Sequence, residues 1–198
     1  MFDKDQLNEL LLQSLEHERG GVKVYETALT CALREDLKKE WGQYLLQTEE
    51  HVAHLERVFE AMELDTERPS PGREVVSRLG ASLVEAMEVA KAEASPVTAQ
   101  LVACECVVLA ETKDHANWEL LSACAEQLRG AQREALEEAC DIVEEQEDEH
   151  LYHNKGYCRE LWLESLGLAA VLPPPEERKQ VKTAIDAALA QQESERRR

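Results

Sequence analysis

The chain has 198 residues and a mass of 22.4 kDa, enough for one domain with a full core. Hydrophobic residues at 43% and charged residues at 32% exclude a disordered composition, and aromatics at only 5% argue against a β-sandwich or barrel. Twenty-two Lys and Arg face 41 Asp and Glu, and the resulting net charge of −19 repels phosphate backbones, so no direct binding to DNA or RNA is expected.

Long stretches rich in Ala, Leu, Glu, Gln and Arg favour helix. From about Asp3 to Leu33 the stripe Leu7, Leu11, Ser14, Glu18, Val22, Tyr25, Leu29 has helical spacing. A second stripe runs Leu37, Trp41, Tyr44, Thr48, His51, Leu55, Val58, Met62, and the joint is set near Arg34-Glu35-Asp36, with Asp36 as the cap of the next helix. Asp65 to Gly72 forms a loop. Ser70-Pro71 opens a shorter helix to about Glu93, and Ser95-Pro96 a third long helix through about Leu128. A fourth runs from near Gly130 to Ser165. Leu166 to Pro175, with three prolines, links into a polar terminal helix ending in Arg196 to Arg198. The expected architecture is all-α: two helical hairpins (about 3–63 and 95–165), a crossing helix (about 71–93), and a C-terminal appendage over 166–198 outside a bundle of residues 1–165.

No stretch approaches the ~18 uninterrupted apolar residues of a membrane span. Met1-Phe2-Asp3-Lys4-Asp5 lacks the basic and apolar regions of a signal peptide, so a cytoplasmic location is expected. The six cysteines form no C-x-x-C pair, which argues against a rubredoxin-type iron centre or zinc ribbon; they are expected to pack as free, small hydrophobes.

The informative signal is a duplication. Gln47-Thr48-Glu49-Glu50-His51-Val52-Ala53-His54 matches Gln146-Glu147-Asp148-Glu149-His150-Leu151-Tyr152-His153, both reading Q-x-[ED]-E-H-x-x-H. The helices before them match too: Glu18 precedes Tyr25-Glu26 by the same interval at which Glu111 precedes Trp118-Glu119. At 100° per residue, Glu18 and Glu111 fall in the middle of apolar stripes, as do His51 and His150; His54 and His153 lie about 60° away, and Glu50 and Glu149 further toward the edge. A carboxylate buried alone costs several kcal/mol or takes up a proton. Two carboxylates and four imidazoles meeting in one core offset that cost together around a divalent cation, and this donor mixture suits Fe(II), Mn(II) or Zn(II). Taken singly, a Glu on an apolar stripe is more often a salt-bridge partner, and His pairs at i, i+3 can simply hydrogen-bond between helices; the matched duplication favours metal. Tyr25 and Trp118 read as core packing. His115 reads as a satisfied core histidine, with ligation as the alternative, and His17 points off its stripe.

These residues resemble the ferritin-like di-iron carboxylate superfamily, which includes bacterioferritin, rubrerythrin and small stress-associated bacterial proteins. The resemblance covers about residues 5–165. It rests on Glu18 and Glu111 in the first and third long helices, on the Glu/His motifs in the second and fourth, and on Tyr25. It implies a four-helix bundle that binds two iron ions, with Mn or Zn as alternatives, and acts on a small-molecule oxidant, dioxygen or peroxide, as an oxidase or peroxidase in oxidative or metal stress. A homodimer is the expected assembly. Glu18 and Glu111 would be carboxylate ligands and His51, His54, His150 and His153 nitrogen ligands, with Glu50 and Glu149 fixing the imidazole tautomers. The family pattern is Glu-x-x-His, whereas His51 and His150 here take the Glu slot of H-x-x-H; Glu147-x-x-His150 does occur, but its counterpart is Thr48. The competing expectations are a non-catalytic metal-storage protein and a metal-free structural bundle.

Overall fold

Asp3 accepts hydrogen bonds from the backbone N–H groups of Asp5 and Gln6 and so starts α1 (Lys4–Cys31). The computed structural model describes residues 2–198; Met1, where the expected bundle range begins, lies outside the described residues. A tight connection, in which Gln100 Oε1 accepts from the N–H groups of Leu33 (2.7 Å) and Arg34 (3.3 Å), leads into α2 (Glu35–Met62). The N-cap is Arg34 and makes no side-chain cap bond; Asp36, expected at the cap, sits in the first turn and pairs with Arg34 at 2.7 Å. Ser70 and Ser95 cap α3 (Pro71–Glu93) and α4 (Pro96–Ala125), each with proline in the first turn as expected. α4 stops at Ala125 rather than Leu128, because Leu128 N–H turns back to the Ala125 carbonyl at 3.1 Å. α5 (Ala131–Ser165) follows Gly130, whose φ of 60° suits glycine. The tail is not one helix but two, α6 (Pro175–Arg178) and α7 (Ala184–Arg196).

The described residues are all-α, with no strand among them and no helix long and apolar enough to cross a membrane. The four long helices touch in a closed ring, α1 to α2, α2 to α5, α5 to α4 and α4 to α1, and α3 lies along α1 and α4. α4 therefore has neighbours on three sides, which explains why Ala103, Cys104, Cys106 and Val107 are all buried and why its residues there are small. All six cysteines are free thiols, four of them buried. The tail folds back onto α5, where Arg159 pairs with Glu176 at 2.7 Å and Tyr157 donates to Glu177 at 2.9 Å.

The core divides into two apolar clusters. One gathers Tyr25 and Ala28 of α1, Leu37, Trp41 and Tyr44 of α2, the first half of α4, and Tyr157 and Leu161 of α5. The other gathers Leu7, Leu11 and Leu15 of α1, Leu55, Val58 and Phe59 of α2, Trp118 and Leu121 of α4, and Leu136 and Val143 of α5. Each fully buried side chain of this size contributes ~1.5–3 kcal/mol. Between the clusters, in the middle of all four long helices, the buried residues are polar: Glu18, Thr48 and His51, Glu111 and Asp114, Glu147 and His150.

Candidate metal centre

Two groups of potential metal ligands meet in this polar layer, Glu18–His51–Glu147 and Glu111–Glu147–His150, with the ligand atoms of each within 4.8 Å of one another. Glu147 belongs to both. His51 Nδ1 lies 3.2 Å from Glu147 Oε1 and 3.4 Å from Glu18 Oε1. His150 Nδ1 lies 3.4 Å from the same Glu147 oxygen and 3.6 Å from Glu111 Oε2. The two imidazoles stack with centroids 5.7 Å apart.

Each ring is held from behind by the other half of the molecule. His51 Nε2 donates to Gln146 Oε1 of α5 at 2.7 Å, and His150 Nε2 donates to Gln47 Oε1 of α2 at 2.9 Å. Placing the Nε2 hydrogen on the amide leaves Nδ1 aimed at the carboxylates in both rings. Trp118 Nε1 holds Glu18 Oε1 at 2.8 Å, and the Tyr44 ring lies 4.1 Å from that of His150.

Protein alone does not satisfy the layer. Glu18 Oε2, Glu111 Oε2, Asp114 Oδ1, both oxygens of Glu147 and Nδ1 of His51 and His150 are buried and make no hydrogen bond of good geometry. Buried polar atoms are ordinarily partnered, so such a concentration signals a missing positive charge. The protonation equilibria agree. Burial pulls the His150 imidazole down, but the adjacent Glu111 and Glu147 carboxylates outweigh it and raise its pKa to about 9. His51 is likewise held well above the ordinary imidazole value against its burial, by the adjacent carboxylates of Glu18 and Glu147. Burial raises Glu147, yet the two histidines hold it below the ordinary carboxylate range. Asp114 is pushed well up by burial and then by Glu18, Glu147 and Glu111, which favours its protonated form. The surrounding carboxylates thus hold both buried imidazoles toward their charged form.

Of the residues expected from the duplication, the structure brings together Glu18, His51, Glu111 and His150. The other four lie outside the two groups. His54 is half-buried beside Arg57, whose guanidinium is 2.6 Å from its Nδ1. His153 is buried but turned to Glu40 (2.6 Å) and the Tyr44 hydroxyl (3.0 Å). Glu50 is exposed on α2, and Glu149 faces Lys182 at 3.9 Å. With residues 51 and 150 pointing inward, the positions one before them turn about 100° away, while His153, on the inner side one turn further along α5, is taken up by Glu40 and Tyr44 instead of the carboxylate layer. The tautomer-fixing role expected of Glu50 and Glu149 is filled by Gln47 and Gln146, one turn earlier on the inner face. His115 pairs with Asp148 at 2.7 Å, and His17 meets the Ala110 carbonyl at 3.0 Å. The duplication left out Glu147, because its counterpart is Thr48; the Glu-x-x-His spacing carried the signal. Asp114, three residues after Glu111, was overlooked although that spacing puts it on the same face.

The donor set, carboxylates with imidazole Nδ1 in a buried layer, fits a divalent transition-metal ion in each group. No protein-family model matches the sequence, and no curated protein and no solved structure matches it either.

Proposed function

We propose that this chain is a non-haem di-metal protein of the ferritin-like di-iron carboxylate type, holding two iron ions on either side of Glu147 and acting on dioxygen or peroxide. The single observation that carries the reading is Glu147 itself: buried, without a hydrogen-bond partner on either oxygen, and common to two Glu–His groups. The ring of four long helices, with Glu18 and Glu111 on α1 and α4 and with His51 and Glu147-x-x-His150 on α2 and α5, supports the family assignment.

The ligand set differs from the family pattern at Thr48, where α2 lacks the usual carboxylate. Glu18, Glu111 and Glu147 bring three negative charges against the four positive charges of two divalent ions. Asp114, buried beside Glu18, supplies the fourth once it loses its proton. The residues divide the work. Glu18 and His51 would hold one ion, Glu111 and His150 the other, and Glu147 both; Gln146 and Gln47 keep the Nδ1 atoms facing inward, and Trp118 keeps Glu18 in place. When bound, the metals supply redox chemistry and open positions that polarise the oxidant. Apolar clusters flank the layer on both sides and lower the dielectric around it.

The test is anaerobic loading with Fe(II), followed by measured consumption of dioxygen or hydrogen peroxide with an external reductant. Loading near two equivalents with turnover supports the proposal. Loading without turnover points to metal storage, and no loading of Fe, Mn or Zn leaves a structural bundle.

A further inference from the structure

A basin of about 580 Å³ opens between α4 and α5, and Glu147 of the candidate metal centre is among its lining residues. Trp118 and Glu147, both almost fully buried, are among its lining residues. Its walls are acidic: Glu119 on α4, and Asp141, Glu144, Glu145 and Asp148 on α5. Asp141, Glu144, Glu145 and Asp148 fall at helical intervals of three, one and three, so α5 presents them as a single stripe leading toward Glu147. The only lysine in the lining is Lys182, from the connection between α6 and α7, whose ammonium sits 2.8 Å from Glu145 and 3.9 Å from Glu149.

An acidic stripe is ordinarily a solvated helix face. This one differs because Glu147, which lines the same basin, is buried with no partner on either oxygen. Carboxylates lining a concave, low-dielectric wall concentrate cations and raise their arrival rate. We infer that this basin is the entry vestibule by which a divalent cation reaches Glu147 from solvent, and that Lys182 is its tethered counter-ion, displaced from Glu145 as the cation arrives. The inference rests on the metal-centre reading above and adds its route. No electron or proton transfer is involved: the ammonium leaves the carboxylate for water and the divalent ion takes its place.

The test uses Co²⁺ alone as the probe, mixed anaerobically with full-length protein at low ionic strength and followed by its ligand-field absorption in stopped flow. Removing three wall charges together (Asp141→Asn, Glu144→Gln, Glu145→Gln) is expected to slow second-order loading roughly tenfold, with the deficit shrinking in high salt, and to leave the final stoichiometry unchanged. Lys182→Gln is expected to speed loading a few-fold. A control with the same charge change on α3 (Glu85→Gln, Glu88→Gln, Glu93→Gln) should load close to the wild-type rate. The proposal is overturned if the wall and α3 variants load at equal rates, if Lys182→Gln loads no faster than wild type, or if the wall variant binds fewer ions at saturation. Wild-type protein that takes up no Co²⁺, Fe²⁺ or Mn²⁺ fails the metal-centre reading itself, a result distinct from any of those.

Discussion

Glu147 and Glu160 stand on the same helix, both inaccessible to solvent, in opposite surroundings. Glu160 Oε2 accepts the Val171 N–H at 2.8 Å, and its Oε1 accepts from Arg159 at 2.8 Å, from Arg198 at 3.3 Å and from the Ser194 hydroxyl. Burial raises its pKa, and these bonds more than reverse the effect, so it stays ionised. Its partners come from α5, the proline-rich connection and α7, and they tie the tail to the bundle. Glu147 faces the imidazoles of His51 and His150 at 3.2 and 3.4 Å and makes no hydrogen bond of good geometry on either oxygen. A carboxylate whose bonds are complete stabilises the fold; one left incomplete among buried bases is held ready for a cation.

Substituting each glutamate separates the two roles most sharply. Glu147→Gln should abolish stoichiometric metal binding, measured by elemental analysis after loading, together with the stabilisation that ligand binding confers, about 2.7 kcal/mol at a hundred times Kd. Glu160→Gln should keep full metal content while losing ~1–3 kcal/mol in denaturant unfolding, because buried donors on the tail are left unpaired.

The amides behind the imidazoles come next. Gln47→Ala frees His150 and Gln146→Ala frees His51, and each should weaken metal binding by ~10–100-fold in competition with a chelator of known affinity. An equal loss from either variant would support the exchange of partners between the two halves.

The pH response should run in opposite directions with and without metal. In the metal-free protein the His150 pKa of about 9 lies above the unfolded value near ~6.5. The stability it contributes is therefore complete below the unfolded pKa and is lost as pH rises through about 9, readable as a falling melting temperature. Metal must displace the proton at Nδ1, so metal affinity should rise over the same interval. The smallest effect belongs to His54→Ala, which sits beside Arg57 outside both ligand groups and should leave metal content unchanged.

Much of this was legible in the sequence. Ser70-Pro71 and Ser95-Pro96 marked two helix starts by chemistry that is local, and the apolar stripes placed Glu18, His51, Glu111 and His150 on inner faces because the helical period is regular. Matching the two halves misled where they differ: the strict alignment of H-x-x-H promoted His54 and His153 and concealed Glu147 behind Thr48. Symmetric sequence does not compel symmetric ligation when one carboxylate placed centrally can serve both halves. Gln47 and Gln146 belong to the repeat, yet their role depends on the opposing helix, a pairing that exists only after α2 and α5 pack together. The fold-back of the tail was equally hidden, since Glu160 reads as one more charge on a charged helix until Ser194 and Arg198 arrive.

The central claim is that Glu147 is shared between two metal ions, and the most direct measurement is an anomalous-difference map of iron-loaded crystals. The account predicts two peaks of comparable height, one among Glu18, His51 and Glu147 and the other among Glu111, His150 and Glu147, with the Glu147 carboxylate contacting both. A single peak, or peaks that Glu147 does not touch, would contradict it.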